Sequence, residues 1–316
     1  MSEATEYVWF DGKLIPSNDA EVSVRTHALH YGTAVFEGIR AYFHDGELYV
    51  FRLGEHSERL VRSARMLHME LPWTAAQISG GILDLLKKNK VRDSVYIRPI
   101  AFVGEGGINL DFRKHPKHVA VFAFPFDAYF ERSGLRVCIS SWRRVSQSSM
   151  IPRAKAAANY LNSSIATIEA KLAGYDEALL LDEEGRVSEG AGENLFIVEG
   201  KVLSTPPTYS AILEGITRQT VSTLALEMGL EVRERPIDRS ELYTADEVFL
   251  TGTATEIEAV LEIDGRKVSG GEPGPVTKRV KSSYFDLVRG LIPRHRSWLT
   301  PVYGYPGRTK RGAGRR

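Results

Sequence analysis

The alternation of apolar and polar residues predicts short strands that are joined in pairs by tight turns. The stretches that show it are YVWFDGKLI, AYFHDGELYVF, LFIVEGKVLS and LEIDGRKV. Each has Asp-Gly or another glycine-containing pair at its centre, and such a pair between two alternating runs is a strong signal of a hairpin. We therefore expect an antiparallel hairpin at each of these places.

Helical periodicity, with apolar residues three or four positions apart, predicts helices between these hairpins. It runs through residues 53–69, 75–89, 160–173, 217–228 and 275–288. Hairpins mixed with helices, without a regular alternation of strand and helix, favour an α+β fold over a Rossmann-type parallel sheet.

A change of character near the middle of the chain predicts a domain boundary. In AFPFDAYFERSGL, an apolar strand gives way to a segment interrupted by proline and then to polar residues. We expect a small N-terminal domain over residues 1–126, an interdomain loop over 127–133 and a larger domain over 134–292. Residues 293–316 are rich in Arg, Gly and Pro, which predicts a basic tail that is mobile or lies on the surface.

Composition narrows the range of partners. The 316 residues carry 41 Lys plus Arg against 40 Asp plus Glu, a net charge of +1, so no overall field draws the chain to nucleic acid or to an anionic membrane. Cys138 is the only cysteine, which excludes an internal disulfide framework and a cysteine-rich zinc site and fits a reducing cytoplasm. His27 and His30 have no cluster of further ligands nearby, so we expect no metal. The expected ligands are small molecules.

One lysine lies in a segment suited to covalent chemistry. Lys155 follows a proline and lies among four alanines in IPRAKAAANYLNSS. Small neighbours let other groups pack close to the amine, and a desolvated ammonium loses its proton more readily, which makes lysine a nucleophile for carbonyl compounds. An ordinary lysine on a helix face would fit the same segment, so the other motifs must decide.

Further motifs fit a phosphorylated pyridine cofactor. Glu189, in VSEGAGENLF, is either a solvated turn residue or the acid that keeps a pyridine nitrogen protonated. Tyr160 is either a half-buried aromatic or a contact of the same ring. Two segments offer an anion site, Gly215-Ile216-Thr217 at the start of a helix and Gly252-Thr253-Ala254-Thr255 after a strand, although both also suit plain caps and turns. Arg59 would add a planar fork for phosphate, or be a surface arginine.

Six blocks, in order, resemble the branched-chain amino-acid aminotransferases, which belong to the fold-type IV class of pyridoxal-phosphate enzymes. They are HALHYGTAVFEGIRAY, YIRPI, AKAAANYLNSS, SEGAGENLF, LEGITR and FLTGTATEI, within residues 7–289. The resemblance implies a two-domain architecture similar to that of D-amino-acid aminotransferase. It has a small N-terminal α/β domain, a larger C-terminal domain with a mixed sheet or barrel, and a homodimer or dimer-based oligomer.

The resemblance also implies roles for single residues. Lys155 is the catalytic residue and forms the Schiff base with pyridoxal 5'-phosphate, Glu189 pairs with the pyridine nitrogen, and Tyr160 touches the phenolate oxygen. The remaining cofactor contacts are Arg59, Ile216, Thr217 and Thr253 at the phosphate and Leu213 at the ring. The substrate contacts are Phe36, Gly38, Tyr96, Arg98, Tyr129, Thr253, Ala254 and, from a second subunit, Tyr31.

The implied activity is transamination of Leu, Ile and Val with 2-oxoglutarate, which gives branched 2-oxo acids and glutamate. Alternatives on the same scaffold are a D-amino-acid or (R)-amine aminotransferase and an aminodeoxychorismate lyase. An alternative of another class is a non-catalytic protein that binds a phosphate ligand and in which Lys155 is structural.

Overall fold

The computed structural model describes residues 5–126, 129–130 and 134–304 of the chain. Its α-helices are α1 (His27–Tyr31), α2 (Leu53–Met66), α3 (Ala75–Lys88), α4 (Asn159–Leu172), α5 (Ile216–Glu227) and α6 (Pro275–Val288). Helices α2 to α6 lie at the stretches with helical periodicity, which confirms those predictions. Helix α2 ends at Met66 rather than at residue 69, because His68 takes a left-handed backbone conformation with φ 54°. None of these helices is both long enough and apolar enough to cross a membrane.

The strands form two sheets. In chain order they are β1 (Tyr7–Phe10), β2 (Lys13–Pro16), β3 (Ala34–Phe36), β4 (Ile39–His44), β5 (Glu47–Phe51), β6 (Val95–Val103), β7 (Lys117–Pro125), β8 (Leu135–Arg143), β9 (Glu177–Leu181), β10 (Val187–Gly190), β11 (Asn194–Glu199), β12 (Val202–Thr205), β13 (Glu231–Glu234), β14 (Glu247–Gly252), β15 (Glu256–Ile263), β16 (Arg266–Lys267) and β17 (Leu299–Pro301).

The two sheets differ in how their strands run. The first has the order β17-β5-β4-β6-β7-β1-β2, with β3 paired to β6, and its neighbours are antiparallel. The second has the order β10-β9-β8-β15-β14-β11-β12-β13, with β16 paired to β15. It is mixed, since β8 runs parallel to both β9 and β15, and β12 runs parallel to β13. This architecture confirms the predicted fold class.

The predicted hairpins are present as β1–β2, β4–β5, β11–β12 and β15–β16. In three of them both residues of the Asp-Gly pair have positive φ, and these pairs are Asp11-Gly12, Asp45-Gly46 and Asp264-Gly265. Positive φ at both positions is the type I′ conformation, whose twist matches that of two antiparallel strands. Aspartate and glycine reach this conformation at low cost, which explains why the dipeptide predicts the hairpin.

Helices α2 and α3 cover one face of the first sheet. Leu60 of α2 and Ile82 of α3 are fully buried together with Ile97 of β6 and Val121 of β7. Burying side chains of this size stabilises the fold by roughly 1.5 to 3 kcal/mol each relative to leaving them exposed. The helices thus anchor the first sheet as one packed layer.

A second stripe on α2 is polar although it is buried. His56, Arg59 and Ser63 are spaced three and four positions apart, so they share one face of the helix, and all three are buried. Buried polar groups need partners, and this stripe finds them in the functional site described below.

The strand β11 in the second sheet is buried on both faces. Along β11, Leu195 and Ile197 point into one core while Phe196 and Val198 point into another. Helices α5 and α6 cover the Phe196 side, and α4 packs on β8 and β9. A strand buried on both faces has no polar alternation, which is why β11 is nearly continuous in apolar residues.

The segment that follows α6, where the sequence predicts a tail that is mobile or lies on the surface, contains regular structure in residues 293–304. Pro293–Trp298 is a short 3-10 helix, and β17 pairs with β5 at the edge of the first sheet. Val302 is buried, and Tyr303 Oη donates to Val91 O at 2.7 Å. The strand is too short and too rich in proline to show a periodic pattern. Residues 305–316 of the predicted tail, and residues 127–128 and 131–133 of the predicted interdomain loop, lie outside the described part of the chain.

Candidate active site

Lys155 lies between the two sheets, in the loop before α4. Its backbone is fixed to the first sheet and its helices, because its N–H donates to Ser63 Oγ of α2 at 3.1 Å and its carbonyl accepts the N–H of Phe36 at 3.0 Å. Its Nζ donates to Tyr160 Oη at 2.8 Å and lies 5.1 Å and 5.2 Å from the ring centres of Phe36 and Tyr160. The amine is therefore held in one direction by a hydroxyl and two aromatic rings.

The structure brings together in one pocket every residue that the sequence predicts for cofactor binding. These residues are Arg59, Lys155, Tyr160, Glu189, Leu213, Ile216, Thr217 and Thr253. They come from α2, the loop before α4, α4, β10, the loop before α5, α5 and the turn after β14. Residues so far apart in the sequence meet because the pocket lies where the first sheet and its helices pack against the second sheet.

Glu189 on β10 is a buried carboxylate with three partners. Its Oε1 lies 2.8 Å from Arg144 Nε, and its Oε2 accepts the side-chain amide of Asn194 and the N–H of Leu213, both at 3.0 Å. Burial raises the pKa of Glu189, while the Arg144 charge and the Leu213 N–H oppose the rise. Such a carboxylate can accept a hydrogen bond from, and balance the charge of, a protonated ring nitrogen.

The start of α5 offers backbone N–H groups to the pocket. No side chain caps this helix at Gly215, so its first N–H groups have no side-chain acceptor among the described residues. A side chain at Gly215 is excluded, because a Cβ there would lie 1.9 Å from Asn194 Oδ1. Thr251 Oγ1 lines the same pocket and is buried without a hydrogen-bond partner in the described structure. This group of donors suits an anion.

Arg59 reaches the same end of the pocket, although its guanidinium is already engaged. Its Nε and Nη2 donate to the two oxygens of Glu37, at 2.6 Å and 2.9 Å, and its Nη1 donates to Glu214 O at 2.8 Å. The side chain is 4% exposed, which excludes the alternative of a surface arginine.

Several of the predicted substrate contacts form a chain of neighbours beside Lys155. The ring of Phe36 packs edge-on against Tyr160 with centroids 4.7 Å apart, and the guanidinium of Arg98 stacks 4.7 Å from the centre of the Phe36 ring. Arg98 also donates to Tyr96 Oη at 3.2 Å. A Cβ at Gly38 would lie 1.9 Å from that hydroxyl, so only glycine lets Tyr96 approach.

The other predicted substrate residues lie in three places. Thr253 lines the pocket and Ala254 follows it in the turn between β14 and β15. Tyr129 is half exposed, and burial, together with the Glu193, Glu177, Tyr96 and Tyr160 side chains, raises its pKa. Tyr31 lies outside the group around Lys155, because it is exposed at the end of α1 and donates to Ile108 O at 3.2 Å.

Sequence reasoning missed several residues that complete the site. Arg144 pairs with Glu189, Glu37 and His56 support Arg59, and Glu193 lines the pocket behind Gly252. Glu37 and Glu193 lie inside the motifs FEGIR and SEGAGENLF, so their positions in the sequence could have marked them as site residues. Arg144, in SSWRRVS, carries no such signal because its partner is more than forty positions away.

The donor set fits a pyridine cofactor with a phosphate group. An amine, a buried carboxylate and an anion site occur in one pocket, in the arrangement that this cofactor class needs. A family model described as amino-transferase class IV matches residues 34–263. The chain belongs to this family. The match confirms the resemblance that the sequence blocks carry.

Known members of the class IV family resemble the chain over nearly its full length. A probable branched-chain-amino-acid aminotransferase of Aquifex aeolicus is 47% identical over 306 residues, which cover 96% of this chain and 98% of that protein. The crystal structure of a branched-chain aminotransferase of Thermoproteus uzoniensis with norvaline has a TM-score of 0.92 and 45% identity, covering 95% of this chain and 100% of that one. The crystal structure of a branched-chain amino acid aminotransferase of Thermobaculum terrenum in its PLP-form has a TM-score of 0.90 and 41% identity, covering 95% of this chain and 99% of that one.

Proposed function

We propose that this chain is a pyridoxal-phosphate-dependent branched-chain amino-acid aminotransferase, which exchanges the amino group between Leu, Ile or Val and 2-oxoglutarate. One observation carries the proposal: Lys155 Nζ lies in a single pocket with the buried carboxylate of Glu189 and the uncapped start of α5. Relatives with branched-chain substrates in their names, at 42% to 47% identity over nearly the whole chain, support the choice of substrate.

Lys155 moves protons at the substrate's α-carbon. When bound, pyridoxal 5'-phosphate supplies an aldehyde that condenses with amines and a ring that accepts the electron pair left by the α-proton. With its Nζ free, Lys155 would act as the general base that removes the α-proton of the substrate. Tyr160 Oη, 2.8 Å away, orients that amine, and the same hydroxyl would contact the phenolate oxygen of the bound ring.

Glu189 and the anion site hold the two ends of the cofactor. Glu189 would accept a hydrogen bond from the protonated ring nitrogen and balance its charge, and Arg144 opposes the rise that burial causes in the pKa of this carboxylate. Ile216 and Thr217 donate N–H groups to the phosphate from the start of α5. Arg59 and Thr253 line the same pocket and would add their side chains to that site, and Leu213, which also lines it, would pack on the ring.

The substrate pocket must accept both an aliphatic side chain and a carboxylate. Phe36 offers an apolar ring beside Lys155, and Arg98 stacks on that ring with its charge at the edge of the pocket. Arg98, Tyr96 and Tyr129 therefore bind the distal carboxylate of 2-oxoglutarate, while Phe36 and Gly38 border the aliphatic chain. The backbone of Thr253 and Ala254 binds the carboxylate that both substrates share.

A second copy of the chain completes the site. Tyr31 is exposed and does not line the pocket that contains its own Lys155, and its hydroxyl donates to the backbone of a loop in which Ile108 and Leu110 are also exposed. An apolar depression of about 470 Å³ lies on the nearby open face of the first sheet and includes Leu29 and Phe122. Exposed apolar surface of this kind is typical of a subunit interface. The proposed unit is a homodimer or dimer-based oligomer in the cytoplasm, with Tyr31 reaching the partner's substrate pocket.

The proposal is tested with a panel of amino donors assayed against 2-oxoglutarate. L-Leu, L-Ile and L-Val should be used well, and D-amino acids and (R)-amines poorly. A preference for D-donors or (R)-amines would favour the alternative on the same scaffold. Borohydride reduction followed by peptide mapping should place the cofactor on Lys155, and a protein that binds the cofactor without labelling or turnover would be a binding protein instead.

A further inference from the structure

A fully buried carboxylate lies behind the cofactor pocket without touching it. Glu37 lies in the short link between β3 and β4, its exposed fraction is 0%, and its own N–H donates to Pro99 O at 2.8 Å. It does not line the pocket that contains Lys155, and nothing in the proposed function uses it. An isolated buried charge is costly, so its partners indicate its purpose.

Glu37 joins two residues of the polar stripe on α2. Arg59 donates to both carboxylate oxygens, at 2.6 Å and 2.9 Å, and His56 Nδ1 donates to Oε2 at 2.7 Å. Burial raises the pKa of Glu37, but the charges and hydrogen bonds of Arg59 and His56 outweigh this effect. The pKa of Glu37 is therefore well below its ordinary value. Burial lowers the pKa of His56, so a neutral ring donates its Nδ1–H to an ionised carboxylate.

These bonds fix the plane of the Arg59 guanidinium. Glu37 binds Nε and one hydrogen of Nη2, and Glu214 O, just before α5, binds one hydrogen of Nη1 at 2.8 Å. Each of Nη1 and Nη2 therefore keeps one further N–H. Because the Arg59 side chain lines the pocket together with Ile216 and Thr217, these N–H groups lie at the end where the helix offers its own donors.

We infer that Glu37 is a positioning residue for cofactor phosphate: it holds the Arg59 guanidinium so that the remaining N–H groups face the start of α5. The inference rests on the proposed function, in which Arg59 binds that phosphate. A planar fork binds phosphate well only in the correct orientation, and the bidentate Glu37 contact sets that orientation before the ligand arrives. Stability alone does not require a charged pair here, since an apolar pair of similar volume is often as stable.

The test compares two ligands that differ only in the phosphate group. Dissociation constants for pyridoxal 5'-phosphate and for pyridoxal are measured on the full-length chain after removal of its cofactor, for the parent, Glu37→Gln, Arg59→Met and the double variant. The matched control is Glu47→Gln. Glu47 is also a buried glutamate of the first sheet, at 1% exposed, but its carboxylate accepts the N–H groups of Leu48 and Tyr303, away from the pocket.

The expected result is a selective loss of phosphate recognition. Glu37→Gln should raise the dissociation constant of pyridoxal 5'-phosphate by about tenfold to a hundredfold, the range for a charge-assisted hydrogen bond. The dissociation constant of pyridoxal should change by less than about threefold. The double variant should lose no more than Arg59→Met alone, since Glu37 acts through Arg59. Glu47→Gln should leave the ratio of the two constants unchanged. If Glu37→Gln does not fold, Glu37→Asp, which withdraws the carboxylate by one methylene, carries the same expectation.

The outcomes separate this inference from the proposed function. An unchanged ratio in Arg59→Met would remove Arg59 from the phosphate site, and with it the basis of the inference. A changed ratio in Arg59→Met with an unchanged ratio in Glu37→Gln would overturn the inference and leave the proposed function intact. Equal losses for both ligands in Glu37→Gln would also overturn it, because they would indicate a general structural role.

Discussion

Arg144 Nε lies 2.8 Å from Glu189 Oε1, and both side chains are buried to more than nine-tenths. The arginine directly follows β8 and the glutamate lies on β10, so the second sheet brings the two charges together. Without Arg144, the carboxylate would meet the ring nitrogen with only the N–H groups of Asn194 and Leu213 to support its charge.

We expect Arg144→Met to slow the reaction and to change its pH dependence. Burial raises the pKa of Glu189 and Arg144 opposes that rise, so removing Arg144 lets the pKa rise further. Because the ionised form is the active one, the acid limb of kcat/KM should move to higher pH, and kcat near neutrality should fall by about tenfold to a hundredfold. The control is Arg143→Met at the exposed neighbouring position. A parent-like pH profile in Arg144→Met would contradict the role of Arg144.

Lys155→Ala should abolish transamination because it removes the amine that moves the α-proton. The phosphate site and Glu189 remain, so the variant should still bind pyridoxal 5'-phosphate without a covalent bond. Rapid-mixing measurement of the leucine half-reaction tests this, with Lys171→Ala on the exposed face of α4 as control. Turnover near that of the parent would show that another group is the base.

Arg98→Met should impair the reaction with 2-oxoglutarate much more than the reaction with leucine. The arginine stacks on Phe36 and donates to Tyr96 Oη, and methionine keeps much of the apolar bulk while deleting the charge. Loss of a charge-assisted contact should lower kcat/KM for 2-oxoglutarate by roughly thirtyfold to a thousandfold. The leucine half-reaction, which has no distal charge to pair, should change much less. Equal losses in both half-reactions would mean that Arg98 mainly supports the Tyr96 hydroxyl.

Glu193→Gln should flatten the pH dependence of stability. Glu193 accepts hydrogen bonds from Thr255 Oγ1 at 3.0 Å and Gly192 N at 3.1 Å, and burial together with Glu177 and Glu189 raises its pKa to about 8. The folded-state pKa lies above the unfolded value of about 4.3. The protonated carboxyl is therefore favoured in the fold, and the parent loses stability as pH rises from about 4.3 to about 8.

Glutamine mimics the neutral acid, so the variant should lack this part of the stability loss, which is roughly 5 kcal/mol over the window of about 3.7 pH units. Urea unfolding at about pH 5, 7 and 9 measures it, with Glu183→Gln at an exposed position as control. Parallel pH curves for the parent and Glu193→Gln would show that Glu193 is ionised throughout.

Local sequence patterns predicted the hairpins, the helices and the motif around Lys155. They did not predict the ion pairs between residues that are far apart in the sequence. The Asp-Gly hairpins and the helices depend on neighbours in the sequence, and the motif around Lys155 carries its small-residue signature with it. By contrast, Glu37 gains its hydrogen-bond partners only when α2 packs beside it, because both His56 and Arg59 lie on that helix. No periodicity reports a buried ion pair between distant segments, since each member alone resembles a surface charge.

The pairing of β17 with β5 constrains the order in which the protein matures. Leu299 pairs with Phe51, so a ribosome delivers this outer strand of the first sheet only after the strands of the second sheet, which lie between the two residues in the chain. Until then β5 has an open hydrogen-bonding edge, the kind of surface that invites pairing with other chains. The first sheet therefore begins to form before the second but is completed after it, and its open edge is exposed to misassembly while all the strands from β6 to β16 are made.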